Sequence, residues 1–293
     1  MLGRTGVRTQ PWTTSIHTAE PVLIHDALDR ARHPFAGATA DLVRGVGLAR
    51  LWGTMGWLDI GQRYRRSVMG PFWVTASLGL FVAGLGVTYG ALFRQPLGEY
   101  IPFVAVGMIA WTLVSAFLTE GCMAFIGAEA SIKQMPAPPC IHVMRVVWRA
   151  LILFAHNFIV YLVVAIVFRL VPGWPVLLAV PALAVIVLNG IGFGLTLGTL
   201  SARFRDIPPL LANVVQMMFF VTPILWRPDG LGERVWIANL NPLYHLVEIF
   251  REPLLGGTGT ALNWSVALTF TAANLAFAYL VYARLRWRIP YWL

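Results

Sequence analysis

Long stretches without a charged side chain constrain this chain more than any other feature. Phe72 to Phe93, Ala150 to Phe168, Trp174 to Ala202, Ile207 to Trp226 and Ala261 to Ala283 contain no Asp, Glu, Lys or Arg, and Ile101 to Ala124 contains only Glu120. About 20 helical residues cross a ~30 Å hydrocarbon core. Backbone groups in lipid must be satisfied within the segment, so such runs are helices. The runs are continuous rather than alternating, which excludes a β-barrel. Of the 293 residues, 58% are hydrophobic and 12% charged, against about 25% charged in soluble domains. The expected fold is an all-α integral membrane protein with six transmembrane helices.

The net charge of +9 would suit nucleic acid, but the arginines flank apolar runs. That placement sets orientation in a bilayer instead, and no nucleic-acid partner is expected. With both termini on the cytoplasmic side, that side carries Arg63, Arg65, Arg66, Lys133, Arg145, Arg149, Arg203, Arg205, Arg284, Arg286 and Arg288. The other side carries Arg94, Arg169, Arg227, Arg234 and Arg251 against Glu99, Asp229, Glu233, Glu248 and Glu252. An odd number of spans would put one basic cluster on the wrong side. Cys122 and Cys140 have no metal-ligand spacing and form no disulfide framework.

Residues 1–40, with Pro11, Pro21 and Pro34 and no apolar core, read as a mobile cytoplasmic tail, not a signal peptide. In Asp41 to Arg66, Leu48, Leu51, Met55 and Leu58 recur at helical spacing, as in a helix lying in the membrane interface. Gly45, Gly47, Gly53 and Gly56 favour an irregular linker instead. Arg227 to Thr260, punctuated by Pro and Gly, includes Leu243–Phe250, an apolar run too short to span. Short half-helices on the outer face would suit it.

No phosphate-cradling glycine loop accompanies Lys133, the only lysine, and no zinc-protease or nucleophile-elbow motif occurs. Energy for any transport must therefore come from a partner or an ion gradient. Ion coupling needs ionisable groups inside the membrane. The candidates are Glu120, which also has the position of a residue snorkelling to the headgroups, and His156, which also reads as a hydrogen-bonded packing residue. A membrane-embedded enzyme would show ionisable groups converging at one depth, and none do.

Five local patterns occur in order: Arg63-Tyr64-Arg65-Arg66-Ser67-Val68-Met69-Gly70-Pro71-Phe72-Trp73, Ser131-Ile132-Lys133-Gln134-Met135-Pro136, Ala202-Arg203-Phe204-Arg205-Asp206, Phe220-Val221-Thr222-Pro223-Ile224, and Asn241-Pro242-Leu243-Tyr244-His245-Leu246-Val247-Glu248-Ile249-Phe250-Arg251. From about Asp41 to Leu293 the chain resembles the ABC-2 type permease family, most closely its polysaccharide and O-antigen exporter branch. Met69 stands where that family usually has leucine, and Pro136-Ala137-Pro138-Pro139 replaces a single proline.

The resemblance implies a transmembrane domain over 41–293 that lacks enzymatic activity and pairs with a second copy of itself and two ABC ATPase subunits. Those subunits would bind ATP and Mg. Glu129, Ser131, Lys133 and Gln134 would form a coupling helix seated in the ATPase, with Arg63, Arg65, Arg66, Arg205 and Asp206 also touching it. Asn241, Pro242, Glu248 and Arg251 would belong to short gate helices on the outer face. Each has a plainer reading: Arg63, Arg65 and Arg66 obey the positive-inside rule, Asp206 caps a helix, and Asn241-Pro242 starts one.

The implied cargo is a lipid-linked glycan, an O-antigen, capsule, teichoic acid or cell-wall galactan, moved outward across the bacterial inner membrane. A drug or other small amphipathic molecule on the same scaffold is the alternative. Phe81, Tyr89, Trp111, Phe117, Phe219, Phe220, Trp226 and Tyr244 are the candidates to line an aromatic path. Interfacial anchoring and lipid contact explain such residues equally well.

Overall fold

The computed structural model describes residues 34–293 except Pro71, and the described residues contain helices and no strands. Of the tail expected over residues 1–40, residues 1–33 lie outside the described ones. Residues 34–40 belong instead to α1, Pro34–Gly47. The expected interface helix is two helices, α1 and α2 (Ala49–Tyr64), broken where Gly47 precedes Leu48. α1 is fastened to the C-terminal end of the chain. Asp41 pairs with Arg286, and the Tyr279 hydroxyl donates to Phe35 O at 3.1 Å.

Five helical segments are long and apolar enough to cross a membrane: α3 Phe72–Leu92, α4 Leu97–Cys122, α6 Cys140–Val167, α7 Ala179–Arg203 with the 3-10 turn Trp174–Leu178 before it, and α11 Ala261–Leu285 with the short turns after it. Between α4 and α6 stands the six-residue helix α5, Glu129–Gln134. The chain is therefore a multi-pass membrane protein. The fifth expected span differs. Helix α8, Ile207–Val221, has 15 residues, about 22 Å at 1.5 Å per residue. It stops because Thr222 precedes Pro223, and a residue before proline is driven out of helical ψ. Thr222 has φ −78° and ψ 132°. Hydropathy alone carried the expected span on to Trp226.

α4 is the axis of the fold, buried along nearly its whole length and packed by α3, α6, α7, α8 and α10. Glycine lets α4 and α7 approach. Gly190, Gly194 and Gly198 form a stripe at i, i+4, i+8 on α7, the small-residue spacing that brings membrane helices into backbone contact. A Cβ built on Gly121 would lie 3.2 Å from the Gly194 Cα, and one on Gly198 would lie 3.0 Å from Gly121 O. Phe117, with 1% of its surface exposed, lies over Gly190, where a Cβ would meet its ring at 2.5 Å.

Beyond α8 come the short helix α9, Trp236–Asn239, and α10, Pro242–Leu254. Eleven of the 13 residues of α10 are buried, so this short helix packs into the core. Helix α12, Ile289–Trp292, ends the chain.

Candidate functional site

Two groups of residues, at opposite ends of α4, carry the chemistry. At the first, α2 lies against α6 and is held there by charge. Asp59 accepts from Arg145, and from Arg149 at 3.1 Å. Arg149 also reaches Glu120 of α4 at 2.6 Å, and Arg63 approaches the same carboxylate at 3.6 Å. Burial pushes the Asp59 carboxyl up, but the Arg145 and Arg149 guanidiniums outweigh it and hold the group below its ordinary value. Glu120 thus serves as an ion-pair partner that joins three helices. His156, the other intramembrane candidate, bonds Ile152 O at 2.8 Å and packs edge-on against Phe72, which is a packing role.

Near this end stands α5. Lys133 and Gln134 are exposed, and Lys133 pairs with Glu129 at 2.7 Å one turn back. The Lys133 hydrogen bond and charge hold the Glu129 carboxyl below its ordinary value, with a smaller contribution from Arg205. Arg205 therefore lies within electrostatic reach of α5. The Ser131 hydroxyl oxygen is buried without a partner among the described residues. Arg65, Arg66, Arg205 and Asp206 are exposed, and Asp206 makes no side-chain cap to α8. Arg63 is drawn to Glu120 instead of standing free beside Arg65 and Arg66.

At the far end, the chain after α8 runs non-helically through Thr222, Pro223, Ile224 and Leu225, all buried. Buried backbone carbonyls need partners, and side chains of α4 and α10 supply them. The Arg251 guanidinium donates to Pro223 O at 2.8 Å, and the Tyr100 hydroxyl donates to Leu225 O. Arg251 is fully buried, pairs with Glu248 one turn earlier and stacks on the Phe103 ring with its central carbon 3.8 Å from the centroid. Arg227 lies over the same ring at 5.3 Å. Asn241 caps α10 by accepting from Leu243 N at 3.0 Å, and its amide donates to Thr222 Oγ1 at 2.8 Å. Pro242, at the first helical position, has no N–H to satisfy there. His245 ties α10 to both neighbours, through Asn263 at 2.8 Å and Asn239 O at 2.9 Å.

The aromatic candidates separate. Phe81 and Phe220 are exposed, Tyr89, Phe219 and Trp226 half-buried, Trp111, Phe117 and Tyr244 buried. Trp111 and Phe219 meet at 6.0 Å, and Phe219 meets Phe220 at 5.2 Å. The Trp226 indole donates to Phe220 O at 3.0 Å. Phe117 belongs to the α4–α7 contact. Phe103, Tyr100, Asp59 and the glycine stripe escaped the sequence reading. Only the stripe had a visible signal, its four-residue spacing.

A multi-pass helical chain with a small exposed helix at one end and a buried, broken-helix element at the other has the form of a transport protein. It belongs to the ABC-2 type transporter family, whose sequence profile matches residues 50–255. Similar proteins include the O-antigen export system permease protein RfbA of Klebsiella pneumoniae, 26% identical over 202 residues that cover 68% of this chain and 78% of that one. The RfbA of Myxococcus xanthus is 23% identical over 240 residues, 75% of this chain and 91% of the relative. The polysialic acid transport protein KpsM of Escherichia coli is 19% identical over 227 residues, 75% and 88%.

Proposed function

We propose that this chain is the transmembrane permease subunit of an ATP-driven exporter that moves a lipid-linked polysaccharide across the bacterial inner membrane. The observation that carries the reading is the family match over residues 50–255, joined to similarity, along most of their own length, to relatives named for O-antigen export and polysialic acid transport. Two copies would assemble with two ATPase subunits, which would bind ATP and Mg.

The chain would cross the bilayer six times with both termini in the cytoplasm. Helix α8 is too short alone. Its 15 residues give about 22 Å, short of a ~30 Å core, and the buried turn over residues 222–225 would continue the crossing. Non-helical backbone at such depth is tolerated where protein satisfies it, and Arg251 and Tyr100 do so.

Geometry suggests how force would travel. An ATPase pressing on α5, on the Arg63–Arg66 end of α2 and on the Arg205 loop would move α2. The Asp59–Arg149–Glu120 network would transmit that movement to α4 and α6. Glu120 and Phe103 lie on one helix about 26 Å apart along its axis, so α4 would deliver the displacement to the Arg251 stack and to α10, the outer gate. Aromatic faces that remain accessible, Phe81, Phe219, Phe220 and Trp226, would contact the passing sugars.

Affinity purification of the chain from its host membrane tests this. An ABC ATPase subunit is expected to copurify in equal amount, with hydrolysis by the complex and none above background by the chain alone. Lys133→Glu is expected to lower the recovered ATPase severalfold. Recovery of the chain with no ATPase under mild detergent would contradict the reading.

A further inference from the structure

A cavity of about 510 Å³ lies beside α10, within the size range of small-ligand sites. Phe103, Arg227, Asp229, Tyr244, Glu248 and Glu252 contribute to its wall, with Thr258, Thr260 and Asn263 completing a polar rim. The chemistry mixes an aromatic face, carboxylate acceptors, a guanidinium donor and hydroxyls. Two of these side chains are nearly buried yet reach the cavity: Glu248 and Tyr244 are each 7% exposed. Glu248 is held by Arg251. The Tyr244 hydroxyl makes no hydrogen bond among the described residues, and in a side chain otherwise buried its oxygen stays accessible from the cavity. An accessible hydroxyl on an otherwise buried ring is fixed in place, and a ligand in the cavity would hydrogen-bond to it.

Charge narrows the ligand. Asp229, Glu248 and Glu252, with Glu99 paired to Arg227 at 3.6 Å, place four carboxylates against the guanidiniums of Arg227 and Arg251. An acidic sugar would meet net negative charge. Neutral hydroxyls would donate to the carboxylates and accept from Tyr244 and Arg227, while an apolar sugar face lies on an aromatic ring.

We propose that this cavity is a saccharide subsite beside the gate helix, selective for uncharged, hydroxyl-rich sugar units over acidic ones. It rests on the polysaccharide-export reading and deepens it, because it assigns the cargo to the neutral class.

The full-length chain in lipid nanodiscs, titrated at pH 7 with neutral linear tetrasaccharides of galactose, mannose and glucose and with tetrasialic acid, tests this by saturation-transfer NMR. At least one neutral tetrasaccharide is expected to bind about tenfold more tightly than tetrasialic acid. Tyr244→Phe, which keeps the ring, is expected to weaken that binding about threefold to tenfold, the worth of one hydrogen bond. Glu252→Gln is expected to narrow the gap between neutral and acidic sugars. Failure of every neutral tetrasaccharide to bind, equal binding of tetrasialic acid, or an unchanged Tyr244→Phe would overturn the subsite. In cells, normal export by Tyr244→Phe together with internal polysaccharide accumulation in a deletion strain would overturn the subsite and leave the exporter reading standing. A deletion strain without accumulation would overturn that reading itself.

Discussion

Arg251 holds three things at once: the Glu248 carboxylate, the Phe103 ring and the carbonyl of Pro223. Arg251→Met keeps the bulk and removes all polar contacts. It leaves Glu248 buried and unpaired, so a loss of about 3–5 kcal/mol is expected, read as a fall in thermal midpoint in detergent. Glu252 presents the opposite case. Burial first, and then the neighbouring Glu248 charge, raises its carboxyl above the ordinary 4.5, so its contribution to stability is full below 4.5 and lost as pH rises through the folded value. Glu252→Gln is therefore expected to melt higher than the natural chain at pH 7 and to converge with it in acid. Asp59 has the reverse sign. Its folded value lies below 3.8, so its contribution is complete above 3.8 and fades as pH falls through the folded value. Asp59→Asn should flatten that acid limb in a melting series. At this scale the sequence was only partly legible: Glu248 and Arg251 were singled out as gate residues, but their pairing one turn apart was not read. The Asp59–Arg149–Glu120 network joins residues 29 and 90 apart in sequence, and no local pattern announces such a meeting.

Elements were more legible than their ends. Four long helical spans and the final span stand where uncharged runs predict them, because hydropathy measures the surface that must leave water. It is blind to backbone geometry, so it missed the break at Thr222-Pro223. Glycine carries the sharpest contrast. Gly53 and Gly194 look alike in sequence, both interrupting helices. A Cβ on Gly53 meets nothing within 4 Å, whereas one on Gly194 lies 2.5 Å from Val143. Gly53→Ala is expected to stabilise by about 1 kcal/mol through helix propensity. Gly194→Leu is expected to cost about 3 kcal/mol or to abolish folding, since the Val143 side chain of α6 already fills that space. Fluorescence-detected size exclusion after graded heating separates the two outcomes. The N-terminal region taught the same lesson: four glycines argued for an irregular linker, yet Gly45 and Gly56 allow close approach to Cys140 and to α6, and two helices form.

For the whole molecule, the two charged ends are joined by α4, with an ion-pair network at one end and the Arg251–Phe103 stack at the other. The family and the helical class were readable from ordered motifs and apolar runs. The cavity beside α10 was not, because its wall gathers residues from four separated segments that only the fold assembles. Export of lipid-linked polysaccharide is tested most directly by the side of the inner membrane on which that polysaccharide resides when the chain is depleted in its host. Protection of the glycan from an externally added glycosidase in spheroplasts reads this. Depletion is expected to leave lipid-linked polysaccharide protected inside, and restoring the chain with its ATPase to make it accessible. Glycan that stays fully accessible after depletion would contradict it.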